Sequence, residues 1–345
     1  MSKYYSEQIE KNTKYRQDYL DGLSAFLEQE KEKIACKREV FISAKQYRDD
    51  PEKYRKALVE MLGFPLNSKR EEAKLLNKKF VSTDGNVNIY RMQFLVFDTL
   101  KFYGIYFEQT ENKSQKPFVV GFHGGDGSPE LVASIHNNSG NYNHLVRRIT
   151  DLGASVFAPQ LVLWHVPTYG NVFDRSHIDG KLRQLGGSIT ALELNIIRGC
   201  LDYFIKEEKM NADKLGSAGL SYGGMYAGYL AAIDERIKAC YSCSWLNDSF
   251  IHSWCDWSYY KAQYNFTAVE TFALISPRPL VIAMGDKDEL FDYKKTIQAC
   301  EQLQPYYTIL NKKKNLKVII FDGVHEMEKE DEGLVWFYKQ LCRTL

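Results

Sequence analysis

The chain has 345 residues, 44% of them hydrophobic and 14% aromatic, enough for a sizeable core and against intrinsic disorder. Its net charge of +1 and pI near 7.5 give no global field for nucleic acid or an anionic membrane. No apolar run reaches the 18 residues of a membrane span, and the first residues carry no secretory pattern. Seven irregularly spaced cysteines fit a reducing compartment, so a cytoplasmic enzyme is expected.

Residues 4–34 are charged and free of proline, with Leu20, Leu23, Phe26, Leu27 and Ile34 at the spacing of one face of an amphipathic helix. A second helix should begin after Asp50-Pro51, where Asp caps and Pro takes the first turn, and end near Gly63. Residues 1–66 are therefore read as a helical N-terminal extension. It is expected to pack on the main body, a homo-oligomer contact being the sharper alternative.

From residue 67 to 345 the pattern is that of one α/β domain. Lys79-Phe-Val-Ser, Val87-Asn-Ile-Tyr-Arg-Met and Lys101-Phe-Tyr-Gly-Ile-Tyr-Phe read as three strands joined by turns such as Asp84-Gly85. Strands at 118–122, 154–158, 215–220, 237–241, 280–284 and 318–321 then alternate with helices, including 142–151, 188–207 and a final one over 332–342. Such an order predicts a mostly parallel central sheet with helices on both faces.

Residues 219–223 read Gly-Leu-Ser-Tyr-Gly, between a short buried strand and a small-residue helix. Strand, sharp turn and helix are the context of a nucleophile elbow, with Ser221 at its apex. A serine hydroxyl is a poor nucleophile at neutral pH. It needs a histidine to take its proton and a carboxylate to orient that histidine. In this architecture they follow in the order Ser, acid, His, each just past the C-terminal end of a strand. Among seven histidines His325 alone follows a late strand in a loop before the last helix. For the acid, Asp286, Asp288 and Asp292 lie in the loop after the strand at 280–284, and Asp248 and Asp256 are further candidates. Asp288 is favoured, standing far enough past Gly285 to turn back toward His325. An oxyanion hole needs two backbone N–H groups. Tyr222, after the nucleophile, should supply one, and the loop His123-Gly124-Gly125-Asp126-Gly127 the other, with Gly125 preferred over Gly124. That loop matches neither glycine-rich phosphate-binding pattern.

The pieces His123-Gly-Gly, Gly219-Leu-Ser-Tyr-Gly-Gly, Ser276-Pro-Arg-Pro-Leu, Gly285-Asp-Lys-Asp and Gly323-Val-His resemble the α/β-hydrolase superfamily. Within it they are most similar to the branch of dienelactone hydrolases, acetyl xylan esterases and prolyl-oligopeptidase-type catalytic domains. The resemblance covers residues 118–345 and leaves the N-terminal helices outside. It implies an α/β-hydrolase fold and supports Asp288 as the acid. The activity it implies is that of a serine esterase acting on a small or carbohydrate-linked, acetyl-type ester, without cofactor. The rivals are a prolyl-oligopeptidase-like peptidase and a non-catalytic binding protein on the same fold. The first is weakened because the residues before the core cannot hold a propeller. The second is weakened because Ser, Asp and His are all present.

Two insertions, at 160–187 and 244–266, should form the substrate pocket, and Trp164, Trp245, Trp254 and Trp257 suggest an aromatic mouth for a sugar or an apolar acyl group. Cys240, Cys243, His252 and Cys255 have the inventory of a zinc site. Residues three apart on a strand point to opposite faces, however, so Cys240 and Cys243 are read as core residues and no metal is expected.

Overall fold

The computed structural model describes residues 4–41, 43–136, 138–163, 174–252 and 255–343. The chain opens with helices α1 (Glu10–Phe41), α2 (Ala44–Asp49) and α3 (Pro51–Leu62). Asp50 caps α3 by accepting from Lys53 N–H at 3.1 Å, and Gly63, at φ 83°, ends it. Strands β1 (Lys74–Asp84), β2 (Val87–Val96) and β3 (Leu100–Gln109) form an antiparallel meander. There follow β4 (Phe118–Phe122), α4 (Pro129–Val132), α5 (Leu145–Asp151), β5 (Ser155–Pro159), α6 (Arg175–Gln184) and α7 (Ile189–Lys206). The second half holds β6 (Leu215–Leu220), α8 (Tyr222–Ile233), β7 (Ile237–Cys243), α9 (Ala262–Asn265) and α10 (Ala268–Ala273). It closes with β8 (Leu280–Gly285), α11 (Tyr293–Thr308), β9 (Leu316–Phe321) and α12 (Glu332–Cys342).

The nine strands make one sheet in the order β1-β2-β3-β5-β4-β6-β7-β8-β9. Every pairing from β5 to β9 is parallel, and β3 joins β5 antiparallel. Chain order reverses around β4, because β5 lies on one side of it and β6 on the other. In open α/β sheets ligands bind beyond the strand C-termini at such a switch point.

Successive residues of the central strands feed two separate cores. Tyr106, Phe118 and Phe122 pack with α7 and α8, whereas Phe107, Val119 and Val156 pack with α5 and α12. That is the two-residue period of a strand buried on both faces. The edge strand β9 departs from it, leaving Val318 and Ile320 partly open to solvent. Tyr54, Leu58 and Leu62 of α3 belong to the first core, so α3 is built into the body.

Two expectations change. The helix read from residue 142 starts at Leu145, because Asn143 and His144 take left-handed φ values of 45° and 59° after a tight turn. The apolar face of α1 does not pack on the body: Leu20, Leu23, Phe26 and Leu27 are exposed. Lys31 and Arg38 tie the helix down, through Asp248 at 2.7 Å and Glu270 at 3.1 Å, and the turns before them project past the body's edge.

Candidate active site

The elbow is a matter of backbone crowding. Ser221 ends β6 at φ 60° and ψ −124°, a region that strains any residue with a Cβ. Its N–H is held by the Cys243 carbonyl at 2.9 Å, and α8 begins at the next residue. A Cβ on Gly219 would come within 2.4 Å of the Gly223 backbone, and one on Gly223 within 2.4 Å of the Phe122 carbonyl. Only glycine fits either place: the turn dictates Gly219, and the close approach of β4 dictates Gly223. The first N–H groups of α8 have no partner within the helix, and its dipole puts partial positive charge beside Ser221.

The loops after β8 and β9 are held against each other. Asp286 N–H donates to the Phe321 carbonyl and Lys287 N–H to the Gly323 carbonyl, each at 2.9 Å. A Cβ on Gly285 would sit 2.4 Å from the carbonyls of Gly323 and Val324, so this approach also requires glycine. It brings Asp288 to His325: Nδ1 donates to Asp288 Oδ2 at 2.9 Å. The other oxygen, Oδ1, accepts from Leu290 N–H and Phe291 N–H at 2.9 and 3.0 Å. Burial pushes the Asp288 carboxyl up, but His325 and those two N–H groups outweigh it and hold it below its ordinary value.

The other four carboxylates are engaged elsewhere. Asp286 accepts from Gly323 N–H, Asp292 caps α11, Asp248 pairs with Lys31, and Asp256 pairs with Arg175. In the glycine loop after β4, Gly124 N–H donates to the Tyr142 hydroxyl at 2.7 Å, while Gly124 itself lies against the Ser221 Cβ. His123 is wholly buried. Its Nε2 accepts from Leu161 N–H at 3.0 Å, so Nδ1 carries the proton and donates to the Gly124 carbonyl at 2.9 Å. Burial drives its pKa down to about 4, which keeps the ring neutral.

Several residues that motif reading missed complete the assembly. Asn141 Nδ2 donates to the His325 carbonyl at 2.9 Å, and its own carbonyl accepts from Met327 N–H at 2.8 Å. Asn143 Nδ2 donates to the Met327 carbonyl at 2.6 Å. With Tyr142 between them, this tripeptide fastens the histidine loop to the glycine loop. Beneath Tyr222 lies a buried charged cluster. Arg175 donates to Asp256, to Glu193 and to the Tyr226 hydroxyl, and Tyr222 Oη donates to Asp256 at 2.7 Å. Glu193 reaches back to Val162 N–H at 2.6 Å, tying α7 to the chain that leaves β5. Of these, Asp256 stood out in the sequence, as a further candidate for the acid.

Trp245 and Trp257 are buried and cross edge-to-face at 4.6 Å. Trp257 lies 5.0 Å from the Tyr222 ring, Trp245 lies 6.3 Å from Phe291, and Phe291 lies 5.7 Å from His325. An aromatic wall therefore runs from the elbow to the histidine. Trp164 and Trp254 lie outside the described residues. Cys240 and Cys243 enter the two different cores, on opposite faces of the sheet, so their sulfurs do not converge.

A glucuronoyl esterase from Solibacter usitatus superimposes with a TM-score of 0.65 over 87% of this chain and 94% of that one, at 14% identity. The chain has the α/β-hydrolase fold. Acetyl xylan esterase 1 from Thermoanaerobacterium sp. JW/SL YS485 matches with a TM-score of 0.54 over 85% and 93% of the two chains, at 15% identity. In sequence, the chain is 32% identical over 98 residues to YtaP of Bacillus subtilis (strain 168), whose name goes no further than hydrolase. That match spans 26% of this chain and 33% of the relative's length. No family model matches the chain.

Proposed function

We propose that the chain is a serine carboxylic ester hydrolase that works through an acyl-enzyme. The observation that carries this reading is the His325–Asp288 hydrogen bond, set across the sheet edge from a serine held at a strained elbow. Ser221 Oγ attacks the ester carbonyl carbon as His325 Nε2 takes its proton. The carbonyl oxygen becomes an oxyanion, received by the N–H groups of Tyr222 and Gly125; Gly124 is already committed to Tyr142. The intermediate collapses with loss of the alcohol, which leaves with the proton from His325. Water then attacks the acyl-enzyme, giving its proton to His325, and the acid departs as Ser221 regains a proton. Asp288 keeps the Nδ1–H of His325 pointed at itself, which leaves Nε2 as the base. The chemistry asks for no metal or cofactor.

A small, carbohydrate-linked ester of the acetyl type is the substrate class favoured. The aromatic wall of Trp257, Trp245 and Phe291 suits a sugar ring, and both solved neighbours described above are named as esterases. Among the described residues six cysteines are free, two of them exposed, which supports a reducing, cytoplasmic setting. No described helix is long and apolar enough to cross a membrane.

A fluorophosphonate probe should label the wild type and not Ser221→Ala, whose ester turnover should fall by about a millionfold. Equal labelling of the two proteins removes the serine from the reaction. Turnover of acetylated sugars, aryl esters and peptide amides should rank the esters first; fastest cleavage of the amides would end the esterase reading.

A further inference from the structure

Helix α1 is 32 residues long, about 48 Å at 1.5 Å per residue. It touches the body only through its later turns, where Lys31 also lies over the Phe250 ring and Arg38 donates to the Gln263 carbonyl. Residues 13–29 are exposed throughout. An isolated helix with that much free surface draws little stability from tertiary packing.

Its surface is nonetheless not polar all round. At 3.6 residues per turn, Arg16, Tyr19, Leu20, Phe26, Leu27 and Glu30 fall within about 60° of Leu23, on either side of it. The five apolar members are between 39% and 71% exposed. The positions of the stripe are symmetric about Leu23, as in any amphipathic helix; what this one adds is a match of residue types. Each residue a given number of steps before Leu23 has a counterpart as many steps after it: Leu20 with Phe26, Tyr19 with Leu27, Arg16 with Glu30. Apolar matches apolar, and the outermost pair carries opposite charges. Asp18 and Glu28, which would repel in the same alignment, fall on the far side of the helix.

Such a pattern is self-complementary under a two-fold rotation. In a two-fold interface residue i of one copy meets j of the other, and j meets i. We propose that α1 is a dimerisation arm. Two copies of this chain pair their α1 helices antiparallel, Leu23 against Leu23 on the axis, with Leu20 and Tyr19 of each against Phe26 and Leu27 of the other. Arg16 of each copy then meets Glu30 of the other, twice per dimer. In the single chain Arg16 reaches only the Ile9 carbonyl, and Glu30 only the adjacent Lys33. The antiparallel sense carries each arm's N-terminal turns toward the body of the other copy.

The test is the mass of the full chain by light scattering and sedimentation, over about a hundredfold range of concentration around the micromolar. The wild type should run at twice its 39.9 kDa. Leu23→Glu, which circular dichroism should show to be folded, should weaken the dimer by about tenfold or more. Arg16→Glu and Glu30→Arg should each weaken it, and the double variant should regain the affinity, because each new charge meets its opposite across the axis. A wild type that stays monomeric overturns the proposal, as does a dimer indifferent to Leu23→Glu. A double variant weaker than both singles overturns the antiparallel register. Ester turnover in the same samples should be unchanged per chain, so a failed dimer and a failed esterase reading give separate signals.

Discussion

The sheet's C-terminal edge and the α1 arm use similar residues, aromatics with arginine, lysine and carboxylates, under opposite conditions. Beneath Tyr222 and around His325 they are buried, and the charged groups share several partners. Arg175 and Asp256 have side chains only 3% and 5% exposed, and both share partners with α8. On the arm, Glu30 and Lys33 make an ion pair open to water at 37% and 63% exposure. The same pairing thus has different consequences. A buried pair that loses one member leaves an uncompensated charge, whereas an exposed pair exchanges its partner for water. The site is rigid because its groups are interdependent; the arm is free to meet a second chain because its groups are not.

The largest effect that could break this comparison is on turnover. Asp288→Asn should lower kcat by about 10⁴, because an amide cannot hold the working tautomer of His325. Asp286→Asn, whose amide oxygen can still accept from Gly323 N–H, should leave most turnover in place. If the two variants exchanged results, the interdependence described for the β8 and β9 loops would be wrongly placed. Next comes the cluster beneath Tyr222. Arg175→Met leaves Glu193 and Asp256 buried without their cation and should cost about 3–5 kcal/mol in denaturant unfolding. A loss below about 1 kcal/mol would make it no different from a surface pair.

The pH dependence should be of comparable size. His123 in the unfolded chain has its ordinary pKa of 6.5 and in the folded chain one near 4. Between those values the unfolded state binds the proton and the folded state does not, so stability rises with pH. Its contribution is complete above pH 6.5 and is lost as pH falls toward 4, in total about 3 kcal/mol. Chemical denaturation at a series of pH values should show that slope, and His123→Asn should flatten it. The smallest effect belongs to the arm. Lys33→Met should change stability by less than about 0.5 kcal/mol; a cost near that of Arg175→Met would show the arm to be held as tightly as the site.

Much of this was legible in the sequence wherever function is tied to local backbone. Ser221 could be placed because strand, tight turn and helix impose Gly219 within five residues, although Gly223 answers to the Phe122 carbonyl of a neighbouring strand. His325 followed from its place after the last strand. The choice among five carboxylates was of another kind. Nothing near Asp286, Asp288 or Asp292 distinguishes them, and they separate only by what each bonds to, which for Asp288 lies 37 residues away. Asn141, Tyr142 and Asn143 left no sequence signal at all, because amide and hydroxyl groups in a loop become informative only when their partners are known.

By itself, then, the sequence determined the alternation of elements, the elbow and the order of the reactive residues, since each depends on steric limits and periodicities that act along the chain. Tertiary structure decided which aspartate faces His325, which glycine N–H is already taken, how Arg175 is neutralised and which apolar face stays uncovered. Those are matters of burial and pairing. The period of α1 announces an apolar face, but hydrophobic attraction has no direction, so only the placement of the body shows that none of the described residues covers it.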